Sequence, residues 1–181
     1  MKTAAIAAAV VALLAAAVVA FLVIDPFADD SDPAAQRGLS GSACQKLAGL
    51  AGQLAEEDPT PSAFLAALGT DGAGIRQGSR GFTDLLRGGH NRIRGRGFLA
   101  RYDDGTDGQV RHFSGVAVAT LFAGANPTLW ISRHLRHDPK GSPDDRLSQA
   151  AVEFGTDVLA GRLALDETED WILGHICRKQ P

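Results

Sequence analysis

Residues 108–124, GQVRHFSGVAVATLFAG, decide the fold class of this chain. The stretch contains no proline and few polar residues, and its apolar residues recur at the spacing of one helix face. We predict that it forms the central, most buried helix of the protein. The apolar side of that helix consists of Val110, Phe113, Ala117, Val118 and Leu121.

Capping residues and prolines predict further helices on both sides of this one. The helix after Ser142 is the clearest, because it can bury Leu147, Ala151, Phe154 and Val158 on one face. No stretch alternates between apolar and polar residues for long enough to predict a sheet. We therefore predict an all-α domain, a compact array of about five or six helices. The predicted helix starts are Ser42, Thr60, Asn126, Ser142 and Asp166.

Residues 70–106 carry the weakest helix signal and are rich in glycine. Only residues 82–86 suggest a helical turn, so we predict a long Gly/Arg-rich loop here. Seven arginines lie between Arg76 and Arg101, against the single acid Asp84. A loop of this length is uncommon in a compact domain and is often functional.

The N-terminus contains an unbroken apolar run, residues 4–24. As a helix, 21 residues span roughly 31 Å, which matches the hydrocarbon core of a bilayer. This length predicts a retained signal anchor over residues 1–24. The alternative is a cleaved signal peptide with a secreted domain, for which residues 18–20 offer a cleavage site.

The charges beside this run predict its orientation. Lys2 precedes it and four aspartates follow it closely, and cationic flanks stay in the cytoplasm. We therefore expect a single-pass protein of the cell membrane, with residues 25–41 as a flexible acidic linker and residues 42–181 as the domain outside the cytoplasm. The preference for Arg over Lys, with abundant Ala and Gly, is typical of high-GC bacteria.

The chain has two cysteines, Cys44 and Cys177. In an oxidising compartment they are natural disulfide partners. The alternative is that each is a small buried apolar side chain. Cys44 does not resemble a lipoprotein cysteine, because Gly41 stands where such proteins carry Leu.

A candidate catalytic group lies one turn into the predicted central helix. His112 is suited to general acid or base catalysis, and Arg111 to holding an anionic group. Glu153 and Asp157, on the acidic face of a later helix, are the candidate carboxylates that would orient His112. The alternative is a structural Arg-His pair whose members are satisfied within the fold.

Arg92, Arg94 and Arg96 form the candidate ligand-binding group, within a Gly-rich stretch that could hold phosphates. Outside the membrane we do not expect nucleic acid as a partner. Anionic lipid headgroups or a wall polymer would meet the same positive charge. The alternative is a solvated loop that balances a neighbouring acidic face.

The chain offers little for a metal or a cofactor, and we predict none. His134 and His137 share one side of a helix, but no nearby residue completes the three or four ligands that zinc needs. Residues 103–108 resemble the start of a calcium loop, yet Ser114 stands where that loop needs its bidentate Glu. An Asx-type turn that caps the helix explains these aspartates.

The motif QVRHF at residues 109–113, followed by SPDDRLSQAA at 142–151 and Phe154-Gly155, resembles uncharacterised bacterial helical domains. Some of these are similar to toxin modules of secreted systems. In that pattern an Asp shortly precedes Arg-His, as Asp107 does here, but Ser148-Gln149 stands where an Asn pair is expected. The resemblance covers about residues 103–177 and implies no particular reaction.

Two functional hypotheses follow. The first is a membrane-anchored extracytoplasmic domain that binds an envelope component or a protein partner. The second is an envelope-facing hydrolase that uses His112. Catalysis requires His112 and a carboxylate beside a cleft, whereas binding requires a continuous surface.

Overall fold

The computed structural model describes residues 32–135 and 138–179. The predicted membrane anchor and residues 25–31 of the predicted linker lie outside these ranges. Within them, no helix is both long enough and apolar enough to cross a membrane.

The described residues form eight α-helices and two short 3-10 helices, and they contain no strand, which confirms the all-α class. One isolated antiparallel bridge joins Phe98 to Cys177. The α-helices are α1 (Pro33–Gln36), α2 (Ala43–Glu57), α3 (Pro61–Ala73), α4 (Ser79–Arg87), α5 (Gln109–Ala123), α6 (Ala125–Leu135), α7 (Pro143–Leu159) and α8 (Thr168–His175); the 3-10 helices are Ala100–Tyr102 and Leu165–Glu167.

Helix α5 is the centre of the fold, as its sequence predicts. It packs against α3 and α7, and its Val110, Phe113 and Ala117 are fully buried. The ring of Phe113 lies 5.3 Å from the ring of Phe154 on α7, measured between centroids. Phe154 in turn contacts Phe64 on α3, so its ring links three helices at the core through two aromatic contacts.

Local capping chemistry sets the helix starts. Ser42 and Gln45 form a reciprocal capping box at the start of α2. The Ser142 hydroxyl accepts from the Asp145 amide at the start of α7, and Thr60 caps α3 in the same way. These three predicted starts are confirmed, whereas α6 begins at Ala125, before the predicted Asn126, and α8 begins at Thr168, after the predicted Asp166.

Residues 32–41 differ from the predicted flexible linker, because they pack against the domain. Asp32 caps helix α1, and Ala34 is fully buried in the main core. Arg37 forms ion pairs with Glu57 on α2 and Asp71 on α3. The acidic composition of this segment hides these contacts, which depend on residues far along the chain.

The predicted Gly/Arg-rich loop is interrupted by helix α4 and is ordered beyond it. Ile93 and Phe98 are buried in the main core. Backbone hydrogen bonds attach the rest, from the His90 amide to the Ala73 carbonyl and from the Arg178 amide to the Gly97 carbonyl. The segment is irregular in backbone conformation but fixed in place.

The predicted disulfide is present. Cys44, in the first turn of α2, is bonded to Cys177, just after α8, with an S–S distance of 2.02 Å. Both cysteines are buried, so the bond joins the beginning and the end of the domain inside the core.

Candidate functional site

His112 lies on α5 where that helix faces α6 and α7, and its side chain is about nine-tenths buried. Its Nε2 atom lies 2.7 Å from the hydroxyl oxygen of Ser148 on α7. Its nearest carboxylate in the described chain is Asp138, with 4.0 Å between Nε2 and Oδ2.

A chain of hydrogen bonds continues from Ser148 to that carboxylate. The Ser148 hydroxyl lies 2.7 Å from the hydroxyl of Ser132 on α6, and the Ser132 hydroxyl donates to Asp138 Oδ2 at 2.5 Å. Ser132, Ser148 and Asp138 are all buried. The site is therefore a line of four polar side chains, which we call the polar chain: His112, Ser148, Ser132 and Asp138.

The proton count fixes the direction of the polar chain. A serine hydroxyl has one proton and two lone pairs, and an ionised carboxylate only accepts. Because Ser132 gives its proton to Asp138, Ser148 must donate to Ser132. Its own proton is then used, so His112 must donate from Nε2. In this arrangement the imidazole does not take the proton of either serine.

A buried carboxylate next to the polar chain holds α6 and α7 together. Asp145 on α7 accepts from Arg133 Nε at 2.6 Å, from the Gly141 amide at 2.8 Å and from Gln149 at 2.9 Å. Burial alone would raise the pKa of Asp145, but these hydrogen bonds outweigh it and lower the pKa below its usual value. The charged form of Asp145 thus positions the residues beside Ser132 and Ser148.

An apolar groove of about 160 Å³ lies between α4, α5 and α6. Two hydroxyl residues, Thr128 and Ser132, lie among its otherwise apolar lining. Gly115 and Val116 line it one turn along α5 from His112, so this end of the groove borders the polar chain. The remaining lining residues are Phe82, Leu85, Leu86, Ala119, Phe122, Ala123 and Ile131.

The rim of the groove exposes large apolar side chains. Phe82 is 65% exposed, Leu86 67% and Phe122 57%. Residues 113–132, which form most of α5 and α6, contain no charged side chain. Contiguous apolar surface of this kind marks an interaction site in soluble domains.

Helix α4 adds positive charge beside this surface. Arg80 and Arg87 stand at its two ends, next to Phe82 and Leu86. Its only acid, Asp84, faces inward and is held by Arg76, with 2.7 Å between Arg76 Nη2 and Asp84 Oδ1. The outer face of α4 therefore carries exposed Phe82, Leu86 and Arg80, while Arg87 is partly exposed.

The other predicted catalytic residues do not join His112. Asp157 pairs with Arg162, and Glu153 is exposed to solvent. Both lie on the side of α7 away from Ser148, since five and nine residues of helix correspond to turns of about 140° and 180°. Arg111 is half-buried near Gly108, and its Nε makes no hydrogen bond.

The predicted ligand-binding arginines do not line the groove, and each donates a hydrogen bond within the fold. Arg92 donates to the Thr70 carbonyl at 3.2 Å. Arg96 donates to the Asp103 carboxylate at 2.8 Å and to the Gly105 carbonyl at 2.6 Å. Arg94 is exposed and donates to the Asn91 carbonyl at 3.4 Å. These three side chains do not converge on one point.

The candidate metal residues have other contacts. His134 stacks on Trp130, and His137 lies outside the described residues. Asp103 and Asp104 accept from the amides of Gly105 and Thr106, which are Asx-type turns, although the N-cap of α5 is Gly108. Across residues 32–135 and 138–179, no three His, Cys, Asp or Glu side chains are placed to hold a metal ion.

Sequence reasoning missed three of the four residues of the polar chain: Ser132, Ser148 and Asp138. One signal for Ser148 was present, since it lies between Leu147 and Ala151 on the buried face of α7. A hydroxyl on such a face needs a partner, because an unpaired buried polar group is costly. The identity of that partner depends on tertiary structure.

Comparisons with models of protein families, with curated proteins and with solved structures gave no match to this chain.

Proposed function

We propose that residues 4–24 anchor this protein in a membrane with the domain outside the cytoplasm, and that the domain binds the lipid surface through the groove. The observation that supports this function is the cluster of exposed Phe82, Leu86 and Phe122 around the groove. Burial of apolar surface stabilises association by about 25 cal/mol per Å². Three large side chains therefore supply a substantial driving force.

The charge of helix α4 favours an anionic lipid surface as the partner of the groove rim. An amphipathic helix with apolar residues on one side and arginines at its flanks is typical of helices that lie in the membrane interface. Each cation close to an anionic surface contributes about 1 kcal/mol. With Asp84 turned inward and paired with Arg76, the acid of this helix does not face an anionic surface that approaches the arginines.

The length of the chain between anchor and domain also supports binding to the lipid surface. Residues 25–31 separate the predicted span from Asp32, and seven residues reach at most roughly 25 Å. A domain held this close meets the bilayer at a high effective concentration. Weak apolar contacts are then sufficient for binding.

The test uses the two tryptophans, Trp130, exposed on α6 next in sequence to the groove residue Ile131, and Trp171, which packs against Phe154. A full-length Trp171→Phe chain is placed in anionic vesicles with acyl chains brominated near the headgroup. We expect bromine to quench Trp130 fluorescence, and less so in zwitterionic vesicles. Unquenched Trp130 in the anionic vesicles would refute the proposed function.

A pair of variants distinguishes binding through the groove from nonspecific adsorption to lipid. Phe82→Ser with Leu86→Ser removes two exposed rim residues, and we expect it to abolish most of the quenching. Leu173→Ser, on α8, changes an exposed apolar residue that does not line the groove and should leave the quenching unchanged.

Hydrolysis through His112 is the second candidate function. The 2.7 Å contact between His112 and Ser148 is the observation behind it, because an imidazole beside a hydroxyl is the arrangement of nucleophilic catalysis. Such catalysis requires the reverse of the proton order derived above, with Ser148 donating to His112. The test is turnover of envelope lipids and wall polymers by the full chain and by a folded His112→Ala variant. Equal turnover in both proteins would exclude His112 as a catalytic residue.

A further inference from the structure

The end of the groove next to the polar chain has an unusual hydrogen-bonding character. Ser132 gives its proton to Asp138 and accepts one from Ser148, so only one lone pair of its oxygen remains. Ser132 can therefore accept a hydrogen bond from a bound molecule, but it cannot donate one.

The second hydroxyl of the groove has the same character. Thr128 donates its proton to the Gly124 carbonyl at 2.7 Å. Its remaining lone pairs also only accept. Both hydroxyls in the lining of the groove thus donate their protons to other protein groups and can only accept a hydrogen bond from a bound molecule.

A negative charge lies directly behind Ser132. Asp138 Oδ2 is 2.5 Å from the Ser132 oxygen, and Asp138 is more than nine-tenths buried, where charge interactions are screened less than in water. A carboxylate or phosphate at this point would find no donor from the groove hydroxyls and would be repelled. A hydroxyl or an ammonium group would find an acceptor and an attractive charge.

We infer that the groove takes an aliphatic chain whose polar end is a hydrogen-bond donor, a hydroxyl or an amino group, which Ser132 accepts. The apolar lining holds the chain, and a cavity of about 160 Å³ is similar in size to apolar cavities that bind benzene, so it holds a short segment. This inference rests on the lipid-binding groove proposed above and adds the chemistry of the bound molecule.

The experiment uses the full chain in lipid vesicles and three photoreactive probes, diazirine derivatives of octanol, octylamine and octanoic acid. All residues that line the groove lie on two tryptic peptides, residues 81–87 and 112–133. Adducts on these peptides are measured by mass spectrometry and normalised to the adducts on lipid in the same sample. This removes differences in how the probes partition into the bilayer.

We expect the alcohol and amine to label these peptides about threefold or more above the acid, the effect of roughly one hydrogen bond. The alcohol and amine arms show whether a hydroxyl or an ammonium group is preferred. Equal labelling by all three probes, a preference for the acid, or labelling by none would each overturn the inference.

Two variants test the role of the polar chain. In Asp138→Asn the new amide donates to Ser132, and the Ser132 proton then turns toward the groove. We therefore expect labelling by the octanoic acid probe to increase relative to the other two probes. Asp157→Asn is the matched control, because Asp157 lies on the side of α7 away from Ser148, and it should keep the preference of the unmodified protein. If the Asp138→Asn protein is folded and its labelling by the octanoic acid probe does not increase, the inference is overturned.

The two proposals fail separately. If Trp130 is quenched by brominated lipid while the probes show no preference, the protein binds the lipid surface but does not select a donor group. If the alcohol and amine probes are preferred but Trp130 is not quenched, the groove binds a molecule of this class while the domain does not insert into the bilayer.

Discussion

Asp145 is almost fully buried, yet it stays charged because three groups donate to it. Replacing it by Asn removes the charge that Arg133 and the Gly141 amide bind. We expect Asp145→Asn to destabilise the protein by about 2–4 kcal/mol, since breaking a buried charged network costs this much. The measurement is the urea midpoint with the disulfide intact.

Asp157→Asn is the control for this prediction. Asp157 also pairs with an arginine, but Arg162 is largely exposed and the pair is screened by water. We expect a loss below about 1 kcal/mol. Equal losses in the two variants would contradict a special role for the buried network around Asp145.

Three carboxylates whose side chains are little exposed contribute to the acid stability of the protein. Burial opposes the charged forms of Asp84, Asp103 and Asp145, but hydrogen bonds from arginines and backbone amides outweigh it and lower the pKa of each. A lowered pKa means that the unfolded chain binds more protons, so these groups stabilise the fold above their unfolded pKa of about 3.9. The contribution is lost as the pH falls through the folded pKa values.

Melting temperatures measured between pH 7 and pH 2 test this direction of the pH dependence. We expect a steep decrease below about pH 4. In Asp84→Asn the decrease should be shallower, because one of the titrating groups is gone. An unchanged slope would show that other groups dominate the acid transition.

At the scale of elements, the contact between α5 and α7 depends on a residue without a side chain. A Cβ built on Gly155 would lie 2.4 Å from the Thr120 hydroxyl and 2.9 Å from the Ala117 carbonyl. We expect Gly155→Ala to cost about 1–3 kcal/mol, because one of the two helices must move. Denaturant unfolding measures the loss.

Gly174→Ala is the matched change on another helix. Nothing lies within 4 Å of a Cβ at Gly174, and the residue is in the helical part of α8. Alanine there should stabilise by about 0.5–1 kcal/mol through helix propensity. A destabilised Gly174→Ala protein would contradict the explanation by local space.

The elements were predictable where their causes are local. The caps at Ser42 and Ser142 need only a neighbouring amide, and the apolar face of α7 follows from residue spacing. The polar chain was not predictable beyond His112. Its hydrogen bonds join residues that lie 16 and 36 positions apart, so which hydroxyl meets which carboxylate depends on how α5, α6 and α7 pack.

At the scale of the whole molecule, two segments that their composition predicts to be a linker and a loop pack against the domain, and for the same physical reason. Residues 32–41 and 88–99 contain little apolar material, yet Ala34, Ile93 and Phe98 are buried in the main core. Partners that lie far along the chain hold both segments. A segment poor in apolar residues can therefore have an irregular backbone and still pack against the rest of the domain.

The disulfide joins these distant parts, and its removal should release them first. Cys44 and Cys177 are 133 residues apart, and in the chain-entropy model such a link stabilises by about 4–5 kcal/mol. We expect the double variant Cys44→Ala, Cys177→Ala to lose stability of this order in urea unfolding.

Hydrogen exchange of the same double variant should locate the effect. The Leu99 amide donates to the Ile176 carbonyl and the Arg178 amide to Gly97, so both bonds depend on the segment that the disulfide holds. We expect these two amides to lose protection while that of Phe113, in the central helix, changes only with global stability. If Leu99 and Arg178 keep their protection relative to Phe113, the hydrogen bonds and the packing of Ile176 hold the C-terminal segment without the disulfide.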